Sequence, residues 1–259
     1  MFINKKNFLK GVAKYSLEGP FDHCVIDNFF NKDIALKLEK EFPSFNSDAW
    51  HVYDNAIEVK KTCNNWNAFP PLTYQVFNFL NSQEFTSILS RSLFDKKELF
   101  SDIGLNGGGW HIHKKGGKLN PHLDYSLHPK SGLQRKLNII IYLNSKWKEN
   151  WGGHLGFWGS ESNKKPGEIK KKFIPKFNRA IIFDTTQNSW HGLPEPVNCP
   201  INEYRKSLAV YYLCVPSKKA AKRGKALFAP TLNQQKDKSV LKLIKERASV
   251  SSAKKVYRN

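Results

Sequence analysis

The chain has 259 residues, 40% hydrophobic and 13% aromatic, enough to bury a sizeable core and too apolar for a disordered polypeptide. It carries a formal charge of +20, and it contains no run of about 18 apolar residues, so no transmembrane helix is expected. The basic N-terminus has no continuous apolar stretch before a small-residue cleavage site, and the four cysteines (Cys24, Cys63, Cys199, Cys214) form no CxxC pair. The N-terminus therefore does not read as a secretory signal, no zinc finger is expected, and free thiols in a reducing cytoplasm are predicted.

Taken in order, Phe21–Phe30 (FDHCVIDNFF) reads as a strand entering a turn, and Asn31 is placed to cap a helix that starts at Lys32. Residues 45–70 read as loop, rich in Trp50, Tyr53, Trp66 and paired prolines. A second helix is predicted over Tyr74–Arg91 from the spacing of Val76, Phe77, Leu80, Phe85, Ile88 and Leu89. From Trp110 the texture becomes β: the runs at 137–143, 152–158, 171–175, 179–185 and 205–215 are short, β-branched and aromatic, and are divided by Gly, Pro, Asn and Lys clusters. That spacing predicts antiparallel sheets in a sandwich or barrel with helices ahead of it, a mainly β chain with flanking helices.

The charge is unevenly spread. Residues 217–259 hold 13 Lys/Arg against 2 Asp/Glu, leaving 29 against 20 for residues 1–216. One domain over 1–216 is expected, helical over 1–100 and β over about 101–216, followed by a basic tail with an amphipathic helix over Lys236–Val250. Lysine dominates arginine and Asn and Ile are frequent, so an AT-rich coding genome accounts for the charge without function; contact with nucleic acid or another anionic surface is the alternative.

Metal chemistry is suggested by His122–Leu123–Asp124. On an extended backbone, positions two apart project to one face, so an imidazole and a carboxylate can reach one ion. His191, just beyond the 179–185 strand, is the candidate third ligand, and two histidines with one carboxylate suit Fe(II) with coordination positions left open. Arg205 and Ser207 share a face of the last strand, where a guanidinium fork beside a hydroxyl can receive a carboxylate. No Ser/His/Asp nucleophile set stands out.

The ordered segments HKKGGKLNPHLDYS, RKLNIIIYLNSKWKENWGGHLGF, NRAIIFDTTQNSWHGLPEPVNCP and YRKSLAVYYL resemble the prolyl-hydroxylase-like branch of the 2-oxoglutarate/Fe(II) oxygenase superfamily. That resemblance implies a double-stranded β-helix, or jelly roll, with helices outside. It implies iron ligation by His122, Asp124 and His191, and contact of Arg205 and Tyr142 with the distal carboxylate of 2-oxoglutarate. Ser207 would assist Arg205, and Asn138, four residues before Tyr142, would line the same pocket. His113 stands where the family commonly has a tyrosine near the co-substrate. The implied requirements are Fe(II), 2-oxoglutarate and O2, with ascorbate a candidate reductant.

For the substrate, Trp110, Tyr125, Trp158 and Trp190 are candidate contacts, and Trp50, Tyr53 and Trp66 candidates for a cover over the barrel mouth. His111 and His113 share a strand face that could turn towards the cavity or to solvent. Gly107–Gly109 lacks the following GK[ST] of a phosphate loop and reads as a turn; Gly152–Gly153 matches a family turn, and His154 is not expected to bind metal. The resemblance favours a small metabolite, saccharide or lipid-linked substrate, with a prolyl residue of a peptide or protein as the second candidate. Two further readings stay open: a catalytically dead barrel serving as an anionic-surface binder, and a zinc hydrolase using the same ligands without Arg205.

Overall fold

The computed structural model describes residues 2–15, 19–162 and 164–249. Its helices are α1 (Lys5–Val12), α2 (Lys32–Glu41), α3 (Pro71–Leu80), α4 (Gln83–Leu93) and α5 (Lys238–Ala248). In chain order the strands are β1 (His23–Ile26), β2 (His51–Asp54), β3 (Glu58–Cys63), β4 (Phe100–Ser101), β5 (Gly109–His113), β6 (Lys118–Leu119) and β7 (His122–Leu123). They continue with β8 (Gln134–Tyr142), β9 (Leu155–Ser162), β10 (Lys165–Phe173), β11 (Ala180–Asp184), β12 (His191–Gly192), β13 (Arg205–Cys214) and β14 (Leu227–Phe228).

The strands form two antiparallel sheets, a jelly roll. The larger runs β1-β11-β8-β13-β5-β3-β2, with β4 beside β13 and β6 beside β3; the smaller runs β10-β9-β12-β7-β14. Alternation assigns the two faces of the larger sheet. On β13, Leu208, Val210 and Tyr212 enter the main core, whereas Arg205, Ser207, Ala209 and Tyr211 line an interior cleft. On β5, Trp110 and Ile112 face the core while His111 and His113 face the cleft. Helical residues Phe8, Leu38, Phe77 and Phe85 complete the core from outside the barrel. Between the sheets, Phe21, Tyr142, Leu155, Phe157, Ile181 and Phe183 fill one end, so the cleft occupies the other.

The helix expected over Tyr74–Arg91 is two helices. Asn81 Nδ2 donates to the Phe77 carbonyl at 2.8 Å and the Ser82 hydroxyl accepts from Phe85 N at 3.2 Å, which ends α3 and starts α4. Asn31 occupies the N-cap of α2 but makes no side-chain capping hydrogen bond. Residues 51–63, read as loop, form the β2–β3 hairpin, which extends the larger sheet through β3–β5 pairing. The amphipathic helix of the C-terminal region spans Lys238–Ala248, and Val250–Asn259 lie outside the described residues. No described helix is long and apolar enough to cross a membrane.

Candidate active site

The two histidines meet because their strands pair. His122 on β7 and His191 on β12 are directly opposed in the antiparallel register, with ring centroids 4.2 Å apart. Asp124 follows β7 and turns its carboxylate towards both: Oδ1 lies 3.8 Å from His122 Nε2, and Oδ2 3.8 Å from His191 Nε2. The three ligand atoms lie within 4.8 Å of one another, and all three residues are buried.

Each imidazole is held by its other nitrogen. His122 Nδ1 contacts the Asn120 carbonyl at 3.0 Å and His191 Nδ1 the Ser189 carbonyl at 2.8 Å. A carbonyl oxygen can only accept, so Nδ1 carries the proton in both rings, and the Nε2 lone pairs face Asp124. Burial holds both histidines below their ordinary pKa, which keeps those lone pairs available. Burial alone would raise the Asp124 carboxyl; Arg135 and then the two imidazoles more than offset it, leaving the group below its usual value. Two neutral nitrogen donors and one carboxylate are a donor set that fits a ferrous ion.

Asp124 is further restrained by residues from β8. Arg135 Nη1 lies 3.4 Å from Oδ1, and Asn138 Nδ2 donates to Oδ2 at 3.4 Å. The Arg135 guanidinium is sandwiched 3.3 Å from the Tyr125 ring centroid and 3.4 Å from that of Tyr211, and donates to the Asn106 carbonyl at 2.6 Å. Asn138 therefore sits beside the Asp124 carboxylate, in the same cleft as Arg205.

Arg205 forms the second pole of the cleft. It is only 3% exposed, yet no carboxylate pairs with it among the described residues. Its Nε donates to the Gly153 carbonyl at 2.7 Å and its Nη2 to the Tyr142 hydroxyl at 3.3 Å. A buried guanidinium without a counter-ion is costly, and a bound carboxylate would relieve it. Gly153 lies at φ +68°, and a Cβ there would come within 2.9 Å of Arg205 Cδ, so the glycine turn admits the arginine.

The remaining candidates divide. Ser207 and His113 line the cleft, and both His113 ring nitrogens are buried without a hydrogen-bond partner. Tyr142 lies behind Arg205 and does not itself line the cleft. His111, Tyr53 and Tyr125 face it; Trp50, Trp66 and Trp110 pack in or against the helix-side core, and Trp158 and Trp190 in a separate apolar cluster with Leu123. For Trp110 the reason is alternation, since its neighbours His111 and His113 take the inner face of β5. His154 does not line the cleft.

Several cleft residues carried no signal recognised in the sequence. Glu58, Lys60 and Thr62 line it from β3, an i, i+2, i+4 set concealed by reading this segment as loop. Glu58 is buried and paired with Lys60 at 3.4 Å and with Arg247 of α5 at 3.3 Å. Arg135 is on the inner face because of a bulge: Tyr212 opposes Leu137 but Leu213 opposes Arg135, so β8 spends one extra residue and its alternation reverses.

Residues 108–213 match the 2OG-Fe(II) oxygenase superfamily. The prolyl 3-hydroxylase OGFOD1 of Mus musculus is 25% identical over 188 residues, covering 68% of this chain; the chain spans only 30% of that relative's length. A prolyl-4-hydroxylase from Pseudomonas putida superposes with a TM-score of 0.57 at 13% identity, covering 81% of this chain and 99% of that one. HygX from Streptomyces hygroscopicus, solved with nickel, 2-oxoglutarate and hygromycin B, gives 0.50 at 11% identity, covering 75% and 84%. At such identities these structural likenesses concern the fold. The family match spans the His122, Asp124 and His191 segments and the jelly roll agrees with it, so residues 108–213 resemble the 2OG-Fe(II) oxygenase superfamily in both sequence and fold.

Proposed function

We propose that this protein is an Fe(II)- and 2-oxoglutarate-dependent hydroxylase acting on a prolyl residue of a peptide or protein. The observation that carries the reading is the pairing of two poles in one cleft: a buried His–Asp–His donor set, and a buried arginine with no acidic partner among the described residues. When bound, iron and 2-oxoglutarate supply the oxidation, in which O2, 2-oxoglutarate and a C–H bond become succinate, carbon dioxide and a hydroxylated product.

In this reading His122, Asp124 and His191 hold the metal, and the Asn120 and Ser189 carbonyls keep both imidazoles in the required tautomer. Arg205 anchors the distal carboxylate of 2-oxoglutarate, with its guanidinium oriented by the Gly153 carbonyl and the Tyr142 hydroxyl. Ser207 and His113 offer further polar contacts along that wall. Asn138 serves the metal carboxylate, on which it donates. A reducing compartment belongs to the same reading, supported by four buried, free cysteines.

The prolyl substrate rests on the hydroxylases named among the relatives; the small-molecule alternative draws on HygX, whose structure holds hygromycin B. Incubating the chain with Fe(II), 2-oxoglutarate and proline-containing peptide libraries, then scoring oxygen gain by mass, separates the two. Oxygen on a prolyl residue with matching succinate supports the proposal. Succinate coupled to a small metabolite, with every peptide unchanged, overturns the prolyl substrate and leaves the oxygenase.

A further inference from the structure

The stretch that follows the family-matched residues 108–213 runs back along the metal-ligand segment and is joined to it at successive points. Ala229 N donates to the Pro121 carbonyl at 2.8 Å, and Asn120 Nδ2 donates to the Ala229 carbonyl at 3.0 Å. Next, β14 pairs with β7, setting Phe228 opposite His122 and Leu227 opposite Leu123; the Phe228 ring stacks on the His122 imidazole at 5.0 Å. At the far end Arg223 brackets Asp124. Its Nη2 and Nε donate to the Asp124 carbonyl at 2.8 and 3.3 Å, while its own carbonyl accepts from Ser126 N at 2.7 Å and Leu127 N at 3.1 Å.

We propose that Arg223 is a positioning residue of the metal site, fixing the backbone of Asp124 so that its carboxylate meets the two imidazoles, and that residues 223–229 are part of the active site. The geometry explains why a clamp is needed there. Strand β7 ends at Leu123, so Asp124 lies beyond the ladder that aligns His122 with His191. Its carbonyl would otherwise lose a charged double donor in a half-buried setting. Within the basic C-terminal region this assigns one cation a local task, distinct from contact with an anionic surface.

The inference rests on the reading of His122, Asp124 and His191 as metal ligands, and it makes a prediction of unusual sign. Removing a cation near a metal site should tighten metal binding if electrostatics alone acted. A positioning role requires the reverse. Cobalt(II) affinity of the full chain, free of other metal, would be measured by titration for wild type, Arg223→Ala, Arg223→Lys and Lys222→Ala, alongside the melting temperature of each metal-free protein. Lys222 is an exposed neighbour whose loss changes charge equally.

The expected result is a dissociation constant raised about tenfold in Arg223→Ala, typical for loss of a group supporting a metal ligand. Arg223→Lys, which keeps the charge and one donor, should recover part of that loss, and Lys222→Ala should bind as wild type. If Arg223→Ala fails to fold, the comparison of Arg223→Lys with wild type decides. Unchanged or tighter cobalt binding in the folded Arg223 variants, or equal weakening in Lys222→Ala, overturns the inference. No cobalt binding by wild type would instead overturn the metal-site reading beneath it.

Discussion

Arg205 and His113 face each other across the β13–β5 ladder, and among the described residues neither pairs with a carboxylate. Arg205→Ala should therefore weaken 2-oxoglutarate binding by roughly 10–100-fold, since a buried charge-assisted pair is worth about 1.5–3 kcal/mol; calorimetric titration of the metal-loaded chain checks this. Burial, and then Arg205, push the His113 pKa well below its ordinary value. An unfolded chain would begin to protonate that ring near pH 6.5 while the folded chain would not, so folding stability must fall as pH drops below that point. The slope from this histidine alone approaches about 1.4 kcal/mol per pH unit. Denaturation at pH 7 and pH 5 should show His113→Phe losing less stability between the two than wild type; an equal or larger loss would contradict it. His122, Asp124, His191 and Arg205 were legible because their identities and order carry chemical meaning. Arg135 was not, because a bulge reverses the alternation that would have assigned its face, and Arg223 was not, because its partner is a backbone carbonyl nearly a hundred residues away.

Short connections decide more than the strands they join. The Gly152–Gly153 turn holds both residues at positive φ and presses against Arg205. Gly153→Ala should raise the 2-oxoglutarate dissociation constant several-fold, with a stability cost of about 1 kcal/mol from the left-handed backbone; equilibrium binding and urea denaturation separate the two effects. Ser82→Ala, which removes the cap of α4, should cost about 1 kcal/mol while leaving 2-oxoglutarate binding unchanged. The α3–α4 break escaped the hydrophobic pattern because apolar spacing continues through Asn81 and Ser82, and polar capping interrupts it. The β2–β3 hairpin escaped for a related reason: in β3, EVKKTC, the polar cleft face alternates with Val59, Lys61 and Cys63, and the central lysine interrupts the apolar rhythm of a strand.

Across the whole molecule, one face of the larger sheet is spent on the helical core and the other on the cleft, while aromatic residues close one end of the barrel. Antiparallel character and the longer strands β8, β9, β10, β11 and β13 could be read from the runs after Trp110, whereas the two-residue strands β6, β7, β12 and β14 are too short to leave a pattern. The return of the C-terminal segment to β7 could not, since nothing local in Ala226–Ala229 specifies a partner so distant in the chain. The central claim is that this barrel brings a metal pole and a carboxylate pole together for oxidation. Its most direct test is Fe(II)-dependent conversion of 2-oxoglutarate to succinate by the full chain, without added substrate, in wild type, His122→Ala and Arg205→Ala. Slow succinate formation in wild type, abolished in His122→Ala and restored in Arg205→Ala only at much higher 2-oxoglutarate, is the predicted result. Succinate formed equally by all three proteins, or no binding of 2-oxoglutarate by the iron-loaded wild type, would contradict it.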